Sequence, residues 1–377
     1  MGKNNTTDYR FKLLYAIAII MVVCGHCNGG GISLEIGGIF RYGGLHLPLF
    51  MFSSGYFYRD RAAEHPKEFI LKKCRNFLLP LYVYNIVYGV VLQVFHYCGF
   101  TMGRKLTLYN ILIAPINNGH QFVFNMGGWY LMPLFMVEIC TVLFRYFLLR
   151  NDIRLSETAC FAAAVLAGLA GNQLACMGYY EGWWLPLVRM LYFLPFFGLG
   201  IYYRRVLEKN AGKVSPVLYF GLIFACKFLI KWRFGKYLSY TPSWCNDFEE
   251  GPLMPIVNGF LGIAFWFRIC EMLTPFLGRT KVVREIADNT FSIMMNQFMG
   301  FMIVKTAYAL IFKYTSHFQN FSWKSYKTDI WWYYTPKGIR FLNIFYLLMG
   351  ILFPIAVQKC INMAKGILPR KKAFFTA

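Results

Sequence analysis

Acidic residues are scarce in this 377-residue chain: 17 Asp and Glu stand against 39 Lys and Arg, and charged residues of all kinds make up only 15%. A soluble domain carries about 25%, so a soluble enzyme with an ordinary solvated surface is excluded. No Pro- or Ser-rich linker marks off a second domain and no internal repeat shows, so 1–377 reads as a single domain. The glycine cluster Gly29, Gly30, Gly31, Gly37, Gly38, Gly43 and Gly44 is not closed by Lys-Ser/Thr and follows no strand, which excludes a P-loop. The 11 cysteines lie scattered, mostly in apolar runs, and form no disulfide framework. Cys24-Gly25-His26-Cys27 has the spacing of a dithiol redox motif but sits at the end of an apolar helix, not in a βαβ unit. The basic N-terminal flank (Lys3, Arg10, Lys12) suggests a signal peptide, yet the small-residue cleavage pattern is missing and many further spans follow. The segment is therefore kept as the first helix.

What the chain does have is apolar surface. Hydrophobic residues reach 57% and aromatics 19%, against about 45–50% apolar in soluble proteins. Runs long enough to span a bilayer, or nearly so, lie at roughly 12–28, 45–58, 77–97, 129–149, 158–176, 186–203, 215–231, 253–274, 287–312 and 341–362. The expectation is an all-α polytopic bundle of about ten helices. Cations gather in alternate connections: Arg59, Arg61, Lys67, Lys72, Lys73 and Arg75; Arg150 and Arg154; Arg204, Arg205, Lys209 and Lys213; Arg279, Lys281 and Arg284; and the C-terminal tail. The positive-inside rule then places both termini in the cytoplasm. The net charge of +22 reads as topology and as attraction for an anionic substrate such as a nucleotide carrier, not as a nucleic-acid surface.

The segment Phe11–His26 organises the rest. Leu13 to Cys24 is unbroken apolar side chain ending on an imidazole, and a helix puts His26 about 20 Å from Lys12. An ionisable group so deep is costly unless it faces a wet cavity or a partner. In the next apolar run, Ser53, Ser54 and Gly55 are small residues suited to close helix contact, and no adjacent base marks Ser54 as a nucleophile. Lys72 and Arg75 stand three apart, so a regular helix sets them on one face, suited to phosphates as a point charge and a fork, or to membrane anchoring. The loop 313–340 is rich in Trp and Tyr, which fits headgroup-level anchoring better than sugar stacking.

Taken together, the order of these motifs resembles the membrane acyltransferase-3 family, in particular its sugar O-acetyltransferase branch. The residues that carry the resemblance are Gly25-His26, Ser54 to Phe57, Lys72, Lys73, Arg75 and Pro80, Trp129-Tyr130-Leu131 with Pro133 and Phe135, Arg189 with Phe193 to Gly198, and Ile286 to Ile293 including Asn289. It implies acyl transfer from cytoplasmic acyl-CoA, most simply acetyl-CoA, to a hydroxyl of a cell-surface or lipid-linked glycan in the bacterial cytoplasmic membrane. No metal is implied. His26 matches the family's essential histidine, and Lys72 and Arg75 its basic pair, with Arg59 or Lys73 assisting. The chain departs in having Tyr15 where members often carry a cation, with Arg10 and Lys12 nearest, and Gln297 where many relatives carry histidine.

On chemical grounds, transfer to a hydroxyl needs a base with a pKa near neutrality, which favours His26 with His46 as the substitute. Glu35 or Glu138 would orient its ring. The competing class is a transporter of an anionic or sugar-containing substrate, its path lined by His26, Glu138 and Arg189. Inverted repeats and paired broken helices, common in transporters, are not evident.

Overall fold

Residues Tyr9–His26 form helix α1, which Asp8 caps by accepting from the Arg10 backbone N–H at 2.9 Å. Most of its side chains are buried, on every face. A helix apolar all round belongs inside a bundle, and α1 packs against α2 (His46–Tyr56), α8 (Leu253–Leu277), α9 (Thr290–Tyr314) and α10 (Ile344–Ala364). The remaining helices are α3 (Pro66–Tyr97), α4 (Val123–Arg150), α5 (Glu157–Cys176), α6 (Trp184–Ala211) and α7 (Pro216–Phe234). The computed structural model describes residues 7–27, 38–40, 45–315, 318, 320–364 and 366, and no strand occurs among them.

Each of the ten apolar runs contains a helix, but among the described residues seven are long and apolar enough to cross a membrane: α1, α3, α4, α5, α6, α8 and the stretch Phe341–Ala364 that contains α10. The expected count of ten therefore does not follow from length and composition. With 11 residues, α2 extends about 16 Å, half of a hydrocarbon core of about 30 Å. In α7, Lys227, Lys231 and Arg233 crowd the second half, and in α9 Thr290, Ser292, Asn296 and Gln297 dilute the first turns.

The short α2 is held because its backbone touches α6. A methyl group placed on Gly55 would stand 1.9 Å from the Phe197 carbonyl oxygen, and one on Gly200 2.1 Å from that of Phe52. Small residues at such crossings let helices approach to backbone contact, the main source of association in lipid. Helix α3 is interrupted by a π-helical turn at Cys74–Leu78. Pro80 lacks the N–H that Asn76 would receive in an α-helix and its ring crowds that carbonyl, so the wider turn relieves the clash. Where α1 begins is termed the near face, and where it ends, at His26, the far face.

Candidate functional site

His26 occupies the last turn of α1, half-buried, in a cavity of about 500 Å³ on the far side. Its Nδ1 lies 3.1 Å from Gln297 Oε1 on α9. The Gln297 amide nitrogen donates to the Met294 carbonyl at 3.3 Å, leaving Oε1 as the acceptor toward the imidazole. Nδ1 therefore carries the hydrogen and Nε2 keeps a lone pair, the tautomer that can accept a proton. The His26 carbonyl accepts from the Tyr333 hydroxyl, and the ring is flanked by Phe298 and Trp331, with centroids 5.0 and 5.8 Å away. Both Trp331 and Tyr333 come from the loop that the sequence assigned to headgroup anchoring.

Two further histidines line the same cavity. His46 opens α2, and His120 lies between α3 and α4. The His120 backbone N–H donates to Asn118 Oδ1, and its Nδ1 sits 3.0 Å from the Asn118 carbonyl. Burial, with the Arg189 charge behind it, pushes this imidazole down to about 3, so it is neutral. Arg189, only 1% exposed, donates to the carbonyls of Asn118 and Ser243 and stacks over Trp129 at 4.6 Å. It ties two far-side loops together and is not among the cavity lining. The described lining carries no Lys, Arg, Asp or Glu.

A second cavity, of about 330 Å³, opens at the near face and has the opposite character. Arg59, Arg61, His65, Glu68, Lys72, Lys73 and Glu138 line it, with Ser54 and Asn76 toward its inner end. Lys73 Nζ is 2.7 Å from Glu138 Oε2 and lies over the rings of Phe69 and Phe77. Glu138 thus serves the basic cavity and does not reach His26, while Glu35 lies outside the described residues. Arg75 is exposed and not part of the lining. Ser54 donates its hydroxyl to the Phe50 carbonyl at 3.0 Å, a helix back-bond that leaves it no base.

The remaining candidates, Arg10 and Asn289, lie outside the lining of both cavities. Arg10 is held among Asp8, Glu208 and Glu271, at 2.7, 2.8 and 3.4 Å, and donates to the Tyr56 hydroxyl. Asn289 donates to the Glu285 carbonyl at 2.7 Å at the junction before α9, and it is the next residue, Thr290, that lines the far cavity. Cys24 and Cys27 are buried free thiols. His120 and Trp244 stand in polar loop sequence with no helical periodicity to single them out. A Gly-His pair followed at short range by Trp129-Tyr130 was the available signal.

The two cavities approach each other along α2 and α4. On α2 the far cavity reaches Phe50 and the near one Ser54, one helical turn or about 6 Å apart. On α4 the corresponding residues are Leu131 and Glu138, about 10 Å apart.

Comparison with known families matches residues 8–356 to the acyltransferase domain of the acyltransferase-3 family. No curated protein and no solved structure gives a significant match. An all-helical chain with seven helices able to cross a membrane, matched over nearly its whole length, is a multi-pass membrane acyltransferase, and it belongs to the acyltransferase-3 family.

Proposed function

We propose that the protein moves an acyl group, most simply acetyl, from acyl-CoA at the near face to a hydroxyl of a cell-surface or lipid-linked glycan in the far cavity. The near face is cytoplasmic, both termini lie there, and the membrane is the bacterial cytoplasmic one. One observation carries the reading: a cationic cavity and a charge-free histidine cavity enter the bundle from opposite faces and close to within about one helical turn on α2. Lys72, Lys73 and Arg59 suit the phosphates of CoA, and the slender, uncharged acyl-pantetheine arm suits the narrow interval between the cavities.

The chemistry asked of His26 is general-base catalysis. As the acceptor oxygen attacks the thioester carbonyl, its proton passes to Nε2 of His26. The C–S bond then breaks, and the departing CoA thiolate takes the proton back from the imidazolium. Gln297 holds the productive tautomer throughout. Loss of a general base costs typically 10²- to 10⁴-fold. Purified His26→Ala in lipid nanodiscs should bind acetyl-CoA yet fall by at least that lower factor in acceptor-dependent CoA release. Retention of more than about a tenth of wild-type turnover, well short of that range, removes His26 as the base. Release of no CoA by the wild type, with transport of a sugar instead, overturns the enzymatic reading.

A further inference from the structure

Three flat side chains stand in file along one wall of the far cavity, with the Arg189 guanidinium behind them. The Arg189 guanidinium lies 4.6 Å over Trp129; Trp129 and His120 are near parallel at 6.1 Å and 23°; His120 and Trp244 are near parallel at 4.5 Å and 20°. Trp244 ends the column. Among the described residues its only ring partner is His120, and it lines the cavity while remaining 40% exposed. Trp183 and Trp232, at 63% and 84% exposure, line neither of the two cavities and fit headgroup anchoring. Trp244 is not of that kind.

The loop that presents it is braced from both sides. Lys236 and Tyr240 reach Glu250 at 2.7 and 3.1 Å, the Thr241 backbone N–H donates to Asp247 at 2.6 Å, and Arg189 holds the Ser243 carbonyl. A neutral His120 filling the rear face and a fixed loop leave one indole face available to a ligand. The lining around it offers the hydroxyls of Ser239, Thr241 and Ser243 and, among the described residues, no formal charge. An apolar plate beside neutral hydrogen-bonding groups is complementary to an uncharged pyranose, whose C–H face is apolar and whose rim is hydroxyl.

We infer that Trp244 is the stacking platform for an uncharged pyranose ring of the acceptor, held flat by His120 and Trp129 so that a ring hydroxyl is delivered toward His26. This rests on the glycan-acylation reading and narrows it to a ring-shaped, neutral acceptor unit bound at a named residue. Trp331, beside His26 and 48% exposed, closes the same cavity from another side.

The test uses the full chain in nanodiscs with acetyl-CoA and a panel of methyl β-glucopyranoside, methyl α-mannopyranoside and methyl N-acetyl-β-glucosaminide, with sorbitol as an acyclic polyol. Acetyl transfer is read by mass. Packing the apolar C–H face of a pyranose on the indole buries about 50–60 Å² of apolar surface, which at about 25 cal/mol per Å² is worth about tenfold in affinity. Trp244→Ala should therefore raise KM for the best pyranoside about tenfold, shrink its preference over sorbitol, and leave KM for acetyl-CoA unchanged. Trp244→Leu, which keeps apolar bulk without a flat face, should behave alike if the alanine variant does not fold, and Trp244→Phe should recover most of the loss. A pyranoside KM within twofold of wild type in Trp244→Leu overturns the platform alone. A fall in kcat with both KM values unchanged, in the leucine and phenylalanine variants alike, makes Trp244 a structural residue and also overturns it. Wild-type protein that acetylates none of the pyranosides overturns the platform, and if it consumes no acetyl-CoA either, the acyl-transfer reading falls with it.

Discussion

Replacing Gln297 with methionine keeps the length of the side chain and removes the oxygen that accepts from His26 Nδ1 at 3.1 Å. Gln297 is fully buried, so no bulk water stands ready to take its place. A neutral hydrogen bond of this kind contributes about 1 kcal/mol, and a buried donor left unsatisfied costs about 1–3 kcal/mol. The tautomer with a free Nε2 lone pair loses that support, so its population falls by about five- to tenfold or more. The expected result is a kcat reduced about tenfold with KM for acetyl-CoA unchanged, because none of the residues lining the cationic cavity is touched. Gln297→Asn keeps the amide but shortens its reach by one methylene and should lose a similar amount. Gln297→Glu keeps an acceptor at the original reach and should retain most of the activity. The assay is CoA thiol release by purified protein in nanodiscs with a saturating glycoside, in parallel with thermal unfolding to confirm that each variant is folded. Turnover by Gln297→Met within twofold of wild type would show that the tautomer is set elsewhere and would refute the reasoning.

Two other outcomes follow from ionic groups. Lys73→Met strands the Glu138 carboxylate, which is only 5% exposed and now paired at 2.7 Å, and removal of one partner of a buried pair costs about 3–5 kcal/mol. The double variant Lys73→Met/Glu138→Leu should regain most of that loss in thermal unfolding, and equal melting of the single and double variants would show that the pair is not coupled. For His120 the folded state favours the neutral ring, with its pKa pushed from 6.5 to about 3. The stability this contributes is complete above the unfolded pKa and is lost as pH falls below it, by about 2 kcal/mol between pH 6.5 and 5. His120→Phe keeps a stacking ring and removes the titration, so its unfolding midpoint should fall less than that of the wild type over this interval; parallel pH profiles would assign the acid sensitivity elsewhere.

Much of the architecture was legible because membrane insertion is decided locally. A run of apolar residues must form a helix to satisfy its own backbone in lipid, so each run located a helix and Leu13–Cys24 located one that is buried on every side. The deep imidazole of His26 stood out for the same reason. The count of spanning helices was less legible, since α2 is held at 11 residues by the Gly55 and Gly200 contacts with α6, and such contacts leave no trace in hydropathy. Regular helical spacing likewise set Lys72 and Arg75 on one face, whereas only Lys72 of the two lines the near cavity.

By itself, then, the sequence determined an all-helical membrane acyltransferase chain, its deep histidine and its basic segment, all properties of side chains read within a turn or two of one another. The tertiary structure alone decided the partners. It gave His26 the amide of Gln297, 271 positions away, instead of a carboxylate, and gave Glu138 to Lys73. It also stacked Trp129, His120 and Trp244 into one column beside the histidine. Helix packing fixes which side chains meet across a cavity through the rotation and depth of each helix. Those depend on close contacts and interruptions summed over the whole bundle, so no local pattern in the chain encodes them.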